Sequence, residues 1–139
     1  MKVLYTATAT VTGGREGQAR SSDGALSVSL AMPKEMGGSG RPGANPEQLF
    51  AAGYAACFES AIRFLAQQQK KQITDSSVTG RVGIGPRDEG GFGLAVELDV
   101  KLLGVSRQEA EALVETAHGS VCPYSNATRG NIDVKIKVV

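Results

Sequence analysis

The chain has 139 residues, which is the length of one typical domain and enough to bury one hydrophobic core. Fifteen Lys and Arg residues nearly balance fourteen Asp and Glu residues, so no strong overall field favours binding to nucleic acid or to an anionic membrane. Hydrophobic residues make up 41% of the chain, which excludes an intrinsically disordered protein.

The first residues alternate apolar side chains with threonines and lack the continuous apolar stretch of a secretion signal. We expect no later segment to contain the roughly 18 consecutive apolar residues that a membrane span requires. We therefore expect a cytoplasmic protein with no membrane partner. In that reducing setting two cysteines, Cys57 and Cys122, are too few for a disulfide scaffold and too far apart in sequence for a C-x-x-C metal site.

The N-terminal part of the chain predicts three β-strands. Apolar side chains alternate over residues 3–11, and shorter strands are predicted at 18–22 and 26–30, with a glycine-rich turn at 13–17. Residues 32–45 are rich in glycine and proline, which predicts a long irregular loop. Loops of that length in a small domain are usually functional or mobile.

A helix is predicted to begin at Asn45-Pro46-Glu47-Gln48. Asn is a good N-cap, Pro suits the first helical position, and an acidic residue and a Gln follow in the first turn. The helix is expected to run to about Lys70. Its middle, residues 51–57, is small almost all the way round, which indicates a buried helix that another backbone approaches closely.

The C-terminal part predicts two strands, a second helix and a last strand. Strands are expected at 78–84 and 92–102, joined by a hairpin loop. Ser106-Arg107-Gln108-Glu109 is a capping box, and its helix should stop before Pro123. Alternation over 132–138 predicts the last strand. The order βββ-α-ββ-α-β indicates an α+β fold in a single domain, residues 1–139.

Standard cofactor and metal motifs are missing from the sequence. There is no Walker loop, no G-x-G-x-x-G after a strand and no H-E-x-x-H. The single histidine, His118, cannot form a zinc site with two distant cysteines, and we expect it to be solvated or locally hydrogen-bonded. We therefore expect neither a metal nor a bound cofactor.

Cys57 lies mid-helix among small apolar residues, where an inert buried thiol is one interpretation. The other is a reactive thiolate, which needs positive charge that the distant helix N-terminus does not supply. Arg15, flanked by glycines, is either the source of that charge or a solvated turn residue. Cys122 is either structural or a resolving thiol for Cys57, and sequence separation cannot decide between the two.

Three segments resemble a known family. They are GGREG at 13–17, NPEQLFAAGYAACF at 45–58 and VCPYSNATRGN at 121–131. They closely resemble the organic hydroperoxide resistance proteins, a branch of the superfamily named for osmotically inducible protein C. The resemblance covers nearly the whole chain, and its two long motifs occur in the right order, each with its cysteine.

The resemblance implies a thiol peroxidase that reduces organic hydroperoxides, including those of fatty acids, to alcohols in antioxidant defence. It implies Cys57 as the peroxidatic and Cys122 as the resolving cysteine, with Arg15 and Glu47 as catalytic residues. It further implies recycling by dihydrolipoamide or a lipoylated protein, with no bound cofactor. The implied assembly is an intertwined homodimer with antiparallel sheets around two central helices.

Helix geometry adds a hypothesis about that homodimer. Glu47 and Cys57 are ten residues apart on one predicted helix. At about 1.5 Å per residue they are separated by about 15 Å along the axis, too far for both to meet one guanidinium easily. Two helices crossing near Ala52 would bring Glu47 of one chain beside the cysteine of the other. Composite sites are therefore expected.

Three other functions compete with this interpretation. A non-enzymatic module that binds a fatty acid would carry inert cysteines. A general disulfide oxidoreductase would pass its disulfide to unrelated proteins. The osmotically inducible branch of the same superfamily shares the two-cysteine chemistry. We rank it second to the organic hydroperoxide resistance branch, mainly because of the long motif around Cys122. Fold similarity alone would not separate these functions.

Overall fold

The computed structural model describes all 139 residues, which divide into two units, Met1–Leu49 and Phe50–Val139. Each unit contains one three-stranded sheet, and the helices lie mainly in the second. The chain is therefore the mixture of helices and strands that the sequence predicts.

The first unit is built on an antiparallel sheet of β1 (Ala9–Thr12), β2 (Gln18–Ser21) and β3 (Ser27–Ser29), in that order. The first strand is shorter than predicted, and the apolar side chains that precede it are exposed. The reason is that β2 ends at a turn after Ser21, so the residues before Thr8 have no strand beside them in this unit.

Residues 32–45 form the irregular loop that the composition predicts. It contains one short 3-10 turn, Lys34–Met36, and a single bridge between Leu30 and Ala44. Leu30 and Ala31 are buried at its start. The loop is therefore anchored at both ends.

Helix α1 (Pro46–Gln68) begins where the sequence predicts and ends two residues early. Asn45 caps it: its Oδ1 accepts the backbone N–H of Gln48 at 2.8 Å, and the Gln48 side chain accepts the N–H of Asn45 at 3.2 Å. These reciprocal bonds satisfy amide groups that a helix start leaves free.

One face of α1 is buried, and the other is not. Tyr54, Phe58 and Ile62 are fully buried, whereas Ala56 is exposed and Phe64 is 51% exposed. The predicted burial of α1 is therefore confirmed for one face of the helix in the single chain, because the sheet of the second unit covers only that face.

The α1 helix also corrects the expectation about membrane spans. With 23 residues it is long and apolar enough, by length and composition alone, to cross a bilayer. A core helix of a globular protein passes the same test. One face of α1 packs into the core of the second unit.

The second unit contains the sheet of β4 (Asp75–Pro86), β5 (Phe92–Leu103) and β6 (Val134–Val138). Strands β4 and β5 form the predicted antiparallel hairpin. Strand β6 instead pairs in parallel with β5, so the prediction of antiparallel sheets is wrong here. The chain leaves β5 through a helical crossover and re-enters the sheet in the same direction, as a parallel pair requires.

The crossover contains α2 (Arg107–Thr116), a π-helical turn (Ala117–Val121) and α3 (Pro123–Thr128). Ser106 and Glu109 form the predicted capping box of α2. Helix α3 is an additional element between the predicted second helix and the last strand, so the order is βββ-α-ββ-α-α-β. Pro123 at the first helical position favours this helix, and the Thr128 hydroxyl donates back to the carbonyl of Tyr124.

The predicted close approach to α1 comes from strand β4. A Cβ on Gly80 would lie 2.9 Å from the carbonyl oxygen of Ala51, so only glycine fits there without displacement of the backbone. This contact fixes α1 against the sheet just before the segment that carries Cys57.

Candidate active site

The two cysteines meet in the second unit. The thiol of Cys122 donates to the Sγ of Cys57 at 3.6 Å, although the residues are 65 positions apart. Both are free thiols; Cys57 is partly buried, and Cys122 is fully buried. The structure therefore brings together a pair that spacing alone could not assign.

A change in helix geometry sets the position of Cys122. The backbone N–H of Cys122 donates to the carbonyl of Ala117, five residues back, at 2.9 Å and closes the π-helical turn. Cys122 itself has extended dihedrals and is the N-cap of α3. Short π-helical segments occur often at functional sites, and this one presents the thiol toward α1.

His118 and three hydroxyl groups that the sequence did not point to form hydrogen bonds around α3. The Oγ of Ser125 lies 2.9 Å from both the Tyr54 hydroxyl and Nδ1 of His118. The Tyr54 hydroxyl also lies 3.2 Å from the Thr128 hydroxyl. His118 is thus locally hydrogen-bonded, one of the two arrangements expected for it.

Opposing effects act on the pKa of the Cys57 thiol. Burial raises the pKa of Cys57, and the neighbouring Cys122 thiol raises it further. The backbone N–H of Tyr124 donates to Cys57 and lowers the pKa in part. The net direction is upward, so the protonated thiol is favoured unless a positive charge is added.

Arg15 and Glu47 form a bidentate ion pair in the first unit. Nη1 and Nη2 of Arg15 donate to the two carboxylate oxygens of Glu47 at 2.9 and 2.7 Å. The side chains are 28% and 12% exposed, and the contact raises the pKa of Arg15 and lowers that of Glu47. Both groups are therefore held charged, in the fork geometry that only arginine provides.

The turn that carries Arg15 depends on its glycines. Arg15 lies in the 3-10 turn Gly14–Glu16, which Gly13 enters with a φ of 74°. A Cβ on Gly17 would lie 1.6 Å from the carbonyl oxygen of Thr12. No other residue fits at Gly17 without rebuilding the turn.

Arg41 fastens this turn to the loop at 32–45. Its Nη2 donates to the carbonyl oxygens of Glu16 and Leu30 at 2.6 and 2.7 Å, and to the Glu16 carboxylate at 2.9 Å. The same carboxylate accepts the N–H of Met32 at 2.9 Å. The turn of Arg15 is thus held from the loop side as well as by Glu47. Sequence inspection missed Arg41, whose only signal was a lone charge among glycines and prolines.

An aromatic cluster lies beside the cysteines. The ring of Tyr124 is 6.2 Å from that of Phe50 and 5.7 Å from that of Tyr54. Tyr124 is also the residue whose N–H reaches Cys57. No group of three or more His, Cys, Asp or Glu side chains is gathered so that it could hold a metal ion. Cys122 lies in the hydrophobic core cluster of the second unit, and Cys57 and Phe50 pack against it.

Comparison with known proteins gives consistent results. Residues 37–137 match the family model described as OsmC-like protein. The chain is 57% identical over 136 residues to the organic hydroperoxide resistance protein of Xanthomonas axonopodis pv. citri (strain 306), covering 97% of this chain and 94% of the relative.

Two solved structures resemble this fold over almost its full length. An organic hydroperoxide resistance protein from Legionella pneumophila has a TM-score of 0.93 and 55% identity, covering 99% of this chain and 98% of the other. One from Elizabethkingia anophelis has a TM-score of 0.94 and 52% identity with the same coverage. The architecture described above is therefore shared with these proteins.

Proposed function

The chain belongs to the OsmC-like protein family, and on that premise we propose that it is a thiol-dependent peroxidase for organic hydroperoxides. We propose antioxidant defence as its role, which is supported by relatives that are named for resistance to organic hydroperoxides. The contact between the Cys57 and Cys122 thiols is the observation that carries the proposal, because inert cysteines need no such contact. That contact also weighs against a binding module with inert cysteines.

The first step takes place at Cys57. Its thiolate attacks the terminal oxygen of the hydroperoxide, the O–O bond breaks, and the alkoxide takes up a proton and leaves as the alcohol. Cys57 becomes a sulfenic acid, oxidised by two electrons, while the hydroperoxide is reduced by two. The rings of Phe50 and Tyr124, which are both partly exposed, favour an alkyl or fatty-acid hydroperoxide over hydrogen peroxide.

The second step joins the two cysteines. The Cys122 sulfur attacks the sulfenic sulfur of Cys57, an S–S bond forms, and the hydroxyl leaves as water. The sulfurs must approach from 3.6 Å to about 2.05 Å, which small side-chain movements can provide. A dithiol then reopens the disulfide by exchange, and we propose dihydrolipoamide or a lipoylated protein as that reductant. This cycle suits the reducing cytoplasm and needs no bound cofactor.

We assign Arg15 the task of stabilising the thiolate and Glu47 that of orienting Arg15. The raised pKa of Cys57 calls for a positive charge, and the bidentate pair keeps the guanidinium charged and its plane fixed. The resemblance to organic hydroperoxide resistance proteins supports these assignments.

The proposal includes a homodimer with composite sites, in which Glu47 serves the cysteine pair of the partner chain. The ten-residue spacing along α1 corresponds to about 15 Å between Glu47 and Cys57 along the axis. The exposed side of α1 is small at Ala52 and Ala56 and apolar at Phe64, which suits close packing of a second helix.

The test uses the fully reduced protein with one equivalent of an alkyl hydroperoxide, and hydrogen peroxide in parallel. We expect rapid loss of both thiols within one chain, a mass lower by two hydrogens and faster reaction with the alkyl substrate. The variant Cys57→Ser should not react. Survival of both thiols in the wild-type protein would overturn the proposal and favour the binding module, which should then copurify with lipid.

A further inference from the structure

We propose that the hydroxyl network of Tyr54, His118, Ser125 and Thr128 positions Cys122 against Cys57 and thereby sets the rate of disulfide formation. The inference rests on the proposed function, since it concerns the second step of that cycle. It adds a set of positioning residues whose hydrogen bonds join them to one another and do not go to the reacting sulfurs.

The network joins three elements of the second unit. Ser125 on α3 is its centre, with Tyr54 of α1 and His118 of the π-helical turn each 2.9 Å from its Oγ. Thr128, on the next turn of α3, lies 3.2 Å from the Tyr54 hydroxyl and donates to the carbonyl of Tyr124 at 2.9 Å. A single tyrosine hydroxyl therefore holds two turns of α3 against α1.

Each of the two cysteines lies about one helical turn along the chain from a member of this network. Tyr54 precedes Cys57 by three residues on α1, and Ser125 follows Cys122 by three residues. His118 lies four residues before Cys122. Residues on both sides of Cys122 are thus bonded to the same network, which is anchored to α1 one turn before Cys57. This arrangement fixes the separation of the two thiols.

Burial makes the network an all-or-none arrangement. Tyr54 and Ser125 are fully buried, and Thr128 is nearly so. A buried hydroxyl that lost its partner could not bond to water instead. The network is therefore strongly favoured to keep all of its hydrogen bonds. Burial also lowers the pKa of His118, as does the charge of Arg129, which favours the neutral ring as a partner for Ser125.

A different set of bonds holds the outer side of the same region. Arg129 donates to the carbonyl of His118 at 2.6 Å, and the Asn126 side chain donates to the carbonyl of Ser120 at 3.2 Å. These contacts join α3 to the π-helical turn but do not reach α1. Apart from the thiol contact itself, the side-chain hydrogen bonds that tie this region to the helix carrying Cys57 are those of the hydroxyl network, which separates its role from general support of the turn.

The experiment compares Ser125→Ala and Tyr54→Phe with wild-type protein and with the control Ser120→Ala. Ser120 is an exposed residue of the π-helical turn, and its hydroxyl bonds only to the carbonyl of Thr116, the last residue of α2. Tyr54→Phe keeps the ring that packs against Phe58 and removes only the hydroxyl, so it is the variant that tests the idea if Ser125→Ala fails to fold.

Reduced proteins are mixed with excess alkyl hydroperoxide, and the products are quenched and weighed by mass spectrometry over time. The oxidation of Cys57 to the sulfenic acid should keep its wild-type rate in every variant. Disulfide formation should slow by about tenfold in the two network variants, the loss expected for one good hydrogen bond. The fraction of Cys57 that reaches the sulfinic acid should rise accordingly, while Ser120→Ala should match the wild type.

The outcomes separate the two proposals. If wild-type protein forms no disulfide, the proposed function fails, and the inference fails with it. Suppose instead that wild-type protein forms the disulfide, and that folded Tyr54→Phe gives the same proportions of disulfide and sulfinic acid as Ser120→Ala. Only the positioning role is then overturned. An equal slowing of both oxidation steps in Tyr54→Phe would also overturn it, because that result would indicate general damage to the site.

Discussion

The Sγ atoms of Cys57 and Cys122 lie 3.6 Å apart, one on the helix that forms the core of the second unit and the other at the N-cap of a six-residue helix. The first thiol is partly accessible, and the second is fully buried. This asymmetry suits a pair in which one sulfur meets the oxidant and the other reacts only with its neighbour.

Replacing the buried thiol should separate the two steps of the proposed cycle. Cys122→Ser removes the group that traps the sulfenic acid, so a single reduction of an alkyl hydroperoxide should proceed at the wild-type rate while turnover with a dithiol falls sharply. Cys57 should then continue to the sulfinic acid under excess hydroperoxide. Stopped-flow and mass spectrometry measure the two steps. Unchanged steady-state turnover would remove Cys122 from the cycle.

Replacing Arg15 by Lys should test the role of the guanidinium. Lysine keeps the charge but cannot form the two-bond fork with Glu47, a loss of about 1.5–3 kcal/mol for a hydrogen bond to a charged group. If that loss falls on the transition state, the rate of Cys57 oxidation should drop by about 10- to 100-fold.

The pH dependence of Cys57 alkylation gives an independent measure in the same variant. We expect the profile of Arg15→Lys to move to higher pH, because the thiolate loses its oriented partner. Arg20→Lys, an exposed arginine of the same unit, is the matched control and should leave both measurements unchanged. Wild-type oxidation rates and an unmoved profile in Arg15→Lys would count against the ion-pair mechanism.

Local sequence signals predicted the helix starts correctly for a physical reason. The caps at Asn45 and Ser106 act through hydrogen bonds to residues three positions ahead, Gln48 and Glu109. Such contacts are contained in a four-residue window, so the sequence alone suffices to place them. The hairpin of β4 and β5 was predictable in the same way, from alternation on both sides of a glycine-rich turn.

Features that depend on how the chain returns on itself were not predictable in this way. The parallel pairing of β6 depends on the direction in which the crossover re-enters the sheet. The contact of Cys57 with Cys122 joins positions that are far apart in the chain. Tyr54 carried a signal, a hydroxyl on the apolar face with Phe58, but nothing local identified Ser125 as its partner.

The close approach of β4 to α1 should make Gly80 far more sensitive than Gly83 of the same strand. A Cβ on Gly80 would press on the Ala51 carbonyl at 2.9 Å, whereas a Cβ on Gly83 meets nothing within 4 Å. Gly80→Ala should cost about 1–3 kcal/mol of unfolding free energy through overpacking. Gly83→Ala should be neutral or slightly stabilising, because alanine restricts the unfolded chain. Equal denaturant midpoints for the two variants would show that the contact yields freely.

Glu109 should give the protein a measurable acid sensitivity. Its carboxylate accepts bonds from Lys71 at 2.8 Å and from the backbone N–H of Ser106 at 2.9 Å, and they lower the pKa of Glu109 from 4.5 to about 2. A carboxyl whose pKa is lower in the folded than in the unfolded state adds stability above pH 4.5 and loses that contribution as the pH falls toward 2.

The variant Glu109→Gln keeps a side chain that can complete the capping box but removes the charge. It should therefore be less stable than the wild type at pH 7, and the difference should shrink between pH 4.5 and pH 2. Thermal unfolding across this range measures it. Glu111→Gln, whose carboxylate bonds only to the exposed Arg107 side chain, is the control and should follow the wild-type curve. A constant offset between Glu109→Gln and wild type at every pH would show that the charge on Glu109 does not supply the stability.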